Sequence, residues 1–150
     1  MKPETLLFWA LYFYEKECKE GEKMNAEIIA VGTELLMGQI VNTNSTYLAQ
    51  ELAKNSIPTY YQQVVGDNEE RMVEAIELAA SRSELIILSG GLGPTTDDIT
   101  KQVVAAFVGT TLEEDPRQLA KLNQHLAHEG RECAPIDLLQ VLTLKGGKAL

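Results

Sequence analysis

Asp97 and Asp98 stand side by side at the end of SGGLGPTTDD, residues 89–98, directly after the apolar run LIIL. Gly90, Gly91 and Gly93 let the main chain approach a ligand closely and turn N–H groups toward an anion. Ser89 opens the loop and Pro94 stiffens its exit. Thr95 or Thr96 can cap a following helix, whose N-terminus favours negative charge. The loop lacks the GKS or GKT of a Walker loop and is not GxGxxG. A glycine nest attracts phosphate, whereas paired carboxylates repel it. A hard divalent cation reconciles the two, because it takes oxygen ligands and bridges carboxylates to phosphates. The plainer reading is a tight strand-to-helix turn with Asp97 and Asp98 as helix-start carboxylates.

Two further loops carry polar groups. Asp67 lies in VVGDNEERM with the spacing of a capping box toward Glu70, so an N-cap competes with a catalytic role. GTELLMGQIVNTN supplies Thr33, Glu34, Gln39, Asn42 and Asn44, whose side chains can bind hydroxyls, ribose or ring edges, and Gly32 and Gly38, which permit turns close to a ligand. Glu34 as a solvated charge and Asn44 as a helix cap are the alternatives. Asp67 and Asp98 are expected at strand carboxyl ends on one rim, with Asp67, Asp97 and Asp98 holding Mg²⁺. His125 and His128, at i and i+3, read as a polar helix face rather than a metal site. Lys101 is expected to reach an anion or to pair with Asp97 or Asp98. No Ser-His-Asp or Cys-His arrangement is present.

The elements that must position these loops follow from periodicity. AEIIAVG (26–32), TYYQQVV (59–65) and ELIILSGG (84–91) read as strands. Helices are expected over 44–55, capped by Asn44 or Ser45, from Asp67 into SRS, and over TDDITKQVVAAFVG with Gly109 as its stop. Asp115 and Pro116 open a fourth helix that ends at Gly130. A turn, a short helix and a strand VLTL follow. Apolar strands alternating with helices predict an α/β fold, with a mostly parallel sheet covered on both faces. Ligands in such sheets sit outside the strand carboxyl ends.

The chain has 150 residues and a net charge of −9, which argues against nucleic acid or an anionic membrane as the main partner. Cys18 and Cys133 lie far apart without metal-ligand spacing, so idle or buried thiols and a reducing cytoplasm are expected. LLFWALYFY (6–14) is too short to span a bilayer and reads as a short helix or extension without chemistry over residues 1–23. Met24 is a candidate natural start.

AEIIAVGTELLMGQIVNTN, VVGDNEERM and LIILSGGLGPTTDDITK, in this order, resemble the N-terminal domain of the CinA (competence/damage-inducible) family, within the wider molybdopterin-binding fold. The resemblance covers residues 24–125 well. It implies a three-layer α/β/α domain over 24–150, with pyrophosphate at the glycine loop and functional carboxylates at Asp67 and Asp98. It also implies Mg²⁺-dependent ADP-ribose pyrophosphatase activity. The alternatives are a pterin- or nucleotide-diphosphate-binding module without turnover, or an inactive shortened member. The family segment matching LTLKGGKAL leads into a Pro/Gly-rich loop lining the site, which here would fall beyond Leu150. The family's amidase activity belongs to a separate domain and is not carried over. Homo-oligomerisation is expected from relatives of this fold.

Overall fold

The computed structural model describes residues 12–15 and 24–147. The chain forms two compact units, Met1–Gly90 and Gly91–Leu150.

The first unit is built on a sheet of four strands. These are β1 (Tyr12–Glu15), β2 (Ala26–Val31), β3 (Thr59–Val65) and β4 (Leu85–Ser89), in the order β1-β4-β2-β3. β2 pairs in parallel with both β3 and β4, while β1 runs antiparallel along β4 with Tyr12 opposite Leu88. Every residue of β2 is buried, as a strand covered on both faces requires. Helix α2 (Thr43–Lys54) places Leu48 and Leu52, one turn apart, against Ala26, Ile28 and Ile87.

Neighbouring strand residues point to opposite faces, so Glu27 looks the other way, toward α3 (Glu69–Arg82). There Arg82 Nε and Nη2 donate to the two Glu27 carboxylate oxygens at 2.9 and 2.6 Å. Ser83 Oγ and Gln63 Nε2 also donate to this carboxylate. Gln63 Nε2 further donates to the Ala75 carbonyl at 3.0 Å, and the Arg82 guanidinium stacks on the Tyr61 ring. Helices therefore cover both sheet faces, and the expected α/β class with a mostly parallel sheet is observed.

Several expected boundaries change. Asn42, not Asn44 or Ser45, caps α2 by accepting from the Ser45 N–H. Asn68, not Asp67, caps α3 through the Arg71 N–H. Of the short helix or extension expected near the N-terminus, Tyr12–Glu15 forms the strand β1, and the rest of residues 1–23 lies outside the described residues. GTELLMG contains a four-residue helix, α1 (Thr33–Leu36), where a loop was expected.

The second unit starts with an irregular segment, and α4 begins only at Thr100, running to Phe107. Its N-cap is Ile99, with no side-chain cap bond, so neither Thr95 nor Thr96 caps it. Asp97 and Asp98 precede the helix rather than open it. Gly109, at φ 71°, follows the helix end as expected. Helix α5 (Pro116–His128) opens with the expected Asp115 cap and Pro116, and the Asp115 carboxylate accepts from the N–H groups of Arg117 and Gln118. Leu122 and Leu126 pack with Val141 of the 3₁₀ turn Asp137–Val141.

An antiparallel ribbon pairs β5 (Leu112–Glu114), which periodicity did not reveal, with β6 (Leu142–Leu144). Lys101 is buried and forms no ion pair with Asp97 or Asp98 among the described residues. Its Nζ donates to the carbonyls of Leu139 and Gln140. Burial lowers its pKa, and the Asp98 charge opposes that shift. Of the expected idle or buried thiols, Cys133 is exposed and free; Cys18 lies outside the described residues. Among the described residues no helix is long and apolar enough to cross a membrane.

Candidate functional site

The parallel register sets Val31 beside Val65 and Ala30 beside Ser89. The carboxyl ends of three strands therefore share one rim of the first unit, where ligands of open α/β sheets bind. Gly32 and Thr33 follow β2, Gly66 and Asp67 follow β3, and Gly90 follows β4.

Thr33 and Asp67 are tied across this rim. The Thr33 N–H and its hydroxyl both donate to Asp67 Oδ2 at 2.9 Å, and the Asp67 N–H donates to Thr33 Oγ1 at 3.3 Å. Oδ1 of Asp67 keeps no hydrogen-bond partner among the described residues. Asn44 donates from Nδ2 to Ser89 Oγ at 3.2 Å, linking the start of α2 to the end of β4. Asn42 spends its side-chain oxygen on the α2 cap. Glu34 is exposed on α1, with its carboxylate folded back over Gly32, where an added Cβ would lie 2.6 Å from Oε1.

Gly90 is required by the protein's own packing. At φ +103°, a Cβ there would stand 2.0 Å from the Val31 carbonyl oxygen. Gly90→Ala is expected to cost about 3 kcal/mol or more, from backbone strain plus overpacking. A urea unfolding midpoint equal to that of the unmodified chain would refute this close approach.

The second unit holds Gly91, Gly93, Pro94, Thr95, Asp97 and Asp98. Gly91 is left-handed at φ +61°, and its carbonyl accepts from the Thr100 N–H. The Thr95 N–H and hydroxyl both donate to Asp98 Oδ2. A Cβ on Gly93 would meet that same oxygen at 2.7 Å, so this glycine too is explained by an internal contact. Burial alone would raise the Asp98 carboxyl. The bonds from Thr95, the Gly93 backbone bond and the Lys101 charge outweigh it and hold the group below its ordinary value of 3.8. Asp98 is thus held ionised. Asp97 is exposed.

Among the described residues no group of three or more His, Cys, Asp and Glu side chains is placed to hold a metal ion. A hard cation that arrives with a diphosphate needs only one or two protein carboxylates. The open Oδ1 of Asp67 suits that use, because a monodentate carboxylate leaves the remaining positions to phosphate oxygens and water. Sequence reading selected Asp67 and Asp98 but missed the two threonine ties. The Thr33 tie spans 34 residues and has no local pattern.

A mostly parallel α/β sheet with polar side chains gathered at its strand carboxyl ends places the first unit in the open-sheet α/β class, whose ligands bind at that edge. Residues 27–147 match the family described as "Probable molybdopterin binding domain". A CinA-like protein of Microcystis aeruginosa is 53% identical over 127 residues, which cover 85% of this chain and 30% of that protein. The crystal structure of the protein CinA from Thermoplasma acidophilum, itself described as of unknown function, superposes with a TM-score of 0.72 at 31% identity. The match covers 82% of this chain and 72% of that one. The molybdopterin biosynthesis enzyme MoaB of Thermus thermophilus shares the fold, with a TM-score of 0.52 at 20% identity over 77% of this chain and 71% of that one. The chain belongs to the molybdopterin-binding-domain family and, within it, to the CinA proteins. It spans about 30% of the length of the curated relatives it matches.

Proposed function

We propose that this domain hydrolyses a nucleotide diphosphate of the ADP-ribose type with the help of a divalent cation, Mg²⁺ by preference. The single observation that carries this reading is the state of Asp67 on the strand-end rim. One of its oxygens is saturated by Thr33 and the other is open. Family membership supports a pterin or nucleotide ligand for the domain. Mg²⁺, when bound, would neutralise diphosphate charge and activate water.

The chain's own residues then have these roles. Asp67 offers Oδ1, and Asp98, held ionised by Thr95 and Gly93, is the second carboxylate of the reaction. Main-chain N–H groups of the Gly-rich loop other than those of Gly93 and Thr95, which Asp98 takes, receive the diphosphate. The Asn42 amide nitrogen and the Asn44 amide oxygen are not used in the bonds described, and they meet ribose hydroxyls. Water adds to one phosphorus and the bond from that phosphorus to the bridging oxygen breaks. AMP and ribose 5-phosphate leave, and the water's proton passes to solvent.

A binding module without turnover is the competing reading, since the family description names binding alone. Calorimetry with ADP-ribose and with a pterin diphosphate, run beside a product assay, separates the two. Binding of ADP-ribose with formation of AMP is expected. Tight binding of either ligand without product would establish the module instead.

A further inference from the structure

We propose that Thr33 is the positioning residue of Asp67, and that its hydroxyl, rather than touching ligand, sets which carboxylate oxygen the ligand meets. This inference rests on the role given to Asp67 above. Three observations carry it. The Thr33 N–H and O–H converge on the same oxygen, Oδ2, and leave Oδ1 open. The bond is returned, because the Asp67 N–H donates to Thr33 Oγ1. A hydroxyl that donates to a carboxylate while accepting from the same residue's amide fixes both the side chain and the main chain of Asp67. The same convergence recurs in the second unit, where the Thr95 N–H and hydroxyl both meet Asp98 Oδ2. Residues 95 and 98 are three apart, a spacing that local turns produce. Thr33 and Asp67 are 34 residues apart and join the ends of two strands, so no local turn explains their tie.

Thr33 also stands at the first position of α1, where an N–H has no partner within the helix. Its protection from solvent therefore depends on Asp67 alone. The hydroxyl is the group to remove. Valine keeps the shape of threonine without the O–H, and serine keeps the O–H without the methyl. In Thr33→Val the main-chain donor remains, but Oδ2 loses one of its two donors and the Asp67 N–H loses its acceptor. The carboxylate is then held by one bond instead of two, and its orientation is less fixed.

Two readouts test this on the whole chain. In amide hydrogen exchange, the Thr33 N–H is expected to be protected, and Asp67→Ala is expected to abolish that protection. The Asp67 N–H is expected to lose protection in Thr33→Val and keep it in Thr33→Ser. In ADP-ribose kinetics with Mg²⁺, Thr33→Val is expected to lower kcat roughly tenfold, because misplacing a reacting group by about an ångström is enough to do so. KM should move less than about threefold, since ligand contacts are retained. Thr33→Ser should restore kcat. Equal loss in the serine and valine variants, or an undiminished kcat in Thr33→Val, would overturn the assignment. So would a Thr33 amide that exchanges equally fast with and without the Asp67 carboxylate. If the chain shows no turnover at all, the functional reading fails. The exchange pattern still decides the tie.

Discussion

Asp98→Ala is expected to lower kcat for Mg²⁺-dependent ADP-ribose hydrolysis by about 100-fold or more, the scale at which loss of a preorganised charged group is felt. The carboxyl is held ionised by Thr95, Gly93 and Lys101, so it carries a full charge at any pH well above its ordinary value of 3.8. Alanine removes that charge and also the acceptor of the Thr95 N–H and hydroxyl. Asp98→Asn separates the two effects, since an amide oxygen still accepts from Thr95. If charge is the active property, the asparagine variant falls as far as alanine. Near-complete activity in Asp98→Asn, with loss only in alanine, would mean that Asp98 holds its loop and takes no part in the chemistry.

The second large effect concerns stability. Arg82→Ala is expected to destabilise the protein by about 3 kcal/mol, the lower end for a broken buried pair, because Arg82 is itself partly exposed while Glu27 is fully buried. The sign of its pH dependence discriminates further. Burial alone raises the Glu27 carboxyl. The bonds from Arg82, Gln63 and Ser83 and the Arg82 charge outweigh it and hold the group below its ordinary value of 4.5. A depressed folded-state value contributes stability above the unfolded value, and that contribution is lost as pH falls through the folded one. Without Arg82, burial remains and the main opposing charge is gone, so the folded state favours the protonated acid. The deficit of Arg82→Ala should therefore be largest near neutral pH and shrink on acidification toward the carboxylate range. A deficit that stays constant between neutral pH and that range would show that Glu27 is not the partner that matters.

This pair also marks where the sequence stops being legible. AEIIAVG reads as a buried strand because its other residues are apolar, and the strand is buried throughout. Nothing local announces that Glu27 is buried with them. Its partners Gln63 and Arg82 lie 36 and 55 residues away, and only the parallel register brings them to one face. The helix starts show the same limit on a smaller scale. Asp115 followed by Pro116 was legible because cap and proline reinforce each other within two positions. At Asp67-Asn68 two acceptable caps adjoin, and the tie to Thr33 takes Asp67 and leaves the cap to Asn68. The three polar loops were legible as segments following strands because composition alone sets them apart. The glycines among them were only half understood. Gly90 and Gly93 are explained first by the Val31 carbonyl and the Asp98 carboxylate, contacts with no signature in the residue string.

The most direct test of the proposed chemistry is the release of AMP from ADP-ribose by this chain, followed with Mg²⁺ and with Mg²⁺ removed by chelation. AMP and ribose 5-phosphate in equal amounts, formed only when the metal is present and restored when it is returned, is the predicted result. No AMP under either condition, from protein that melts cooperatively and binds ADP-ribose, would contradict it.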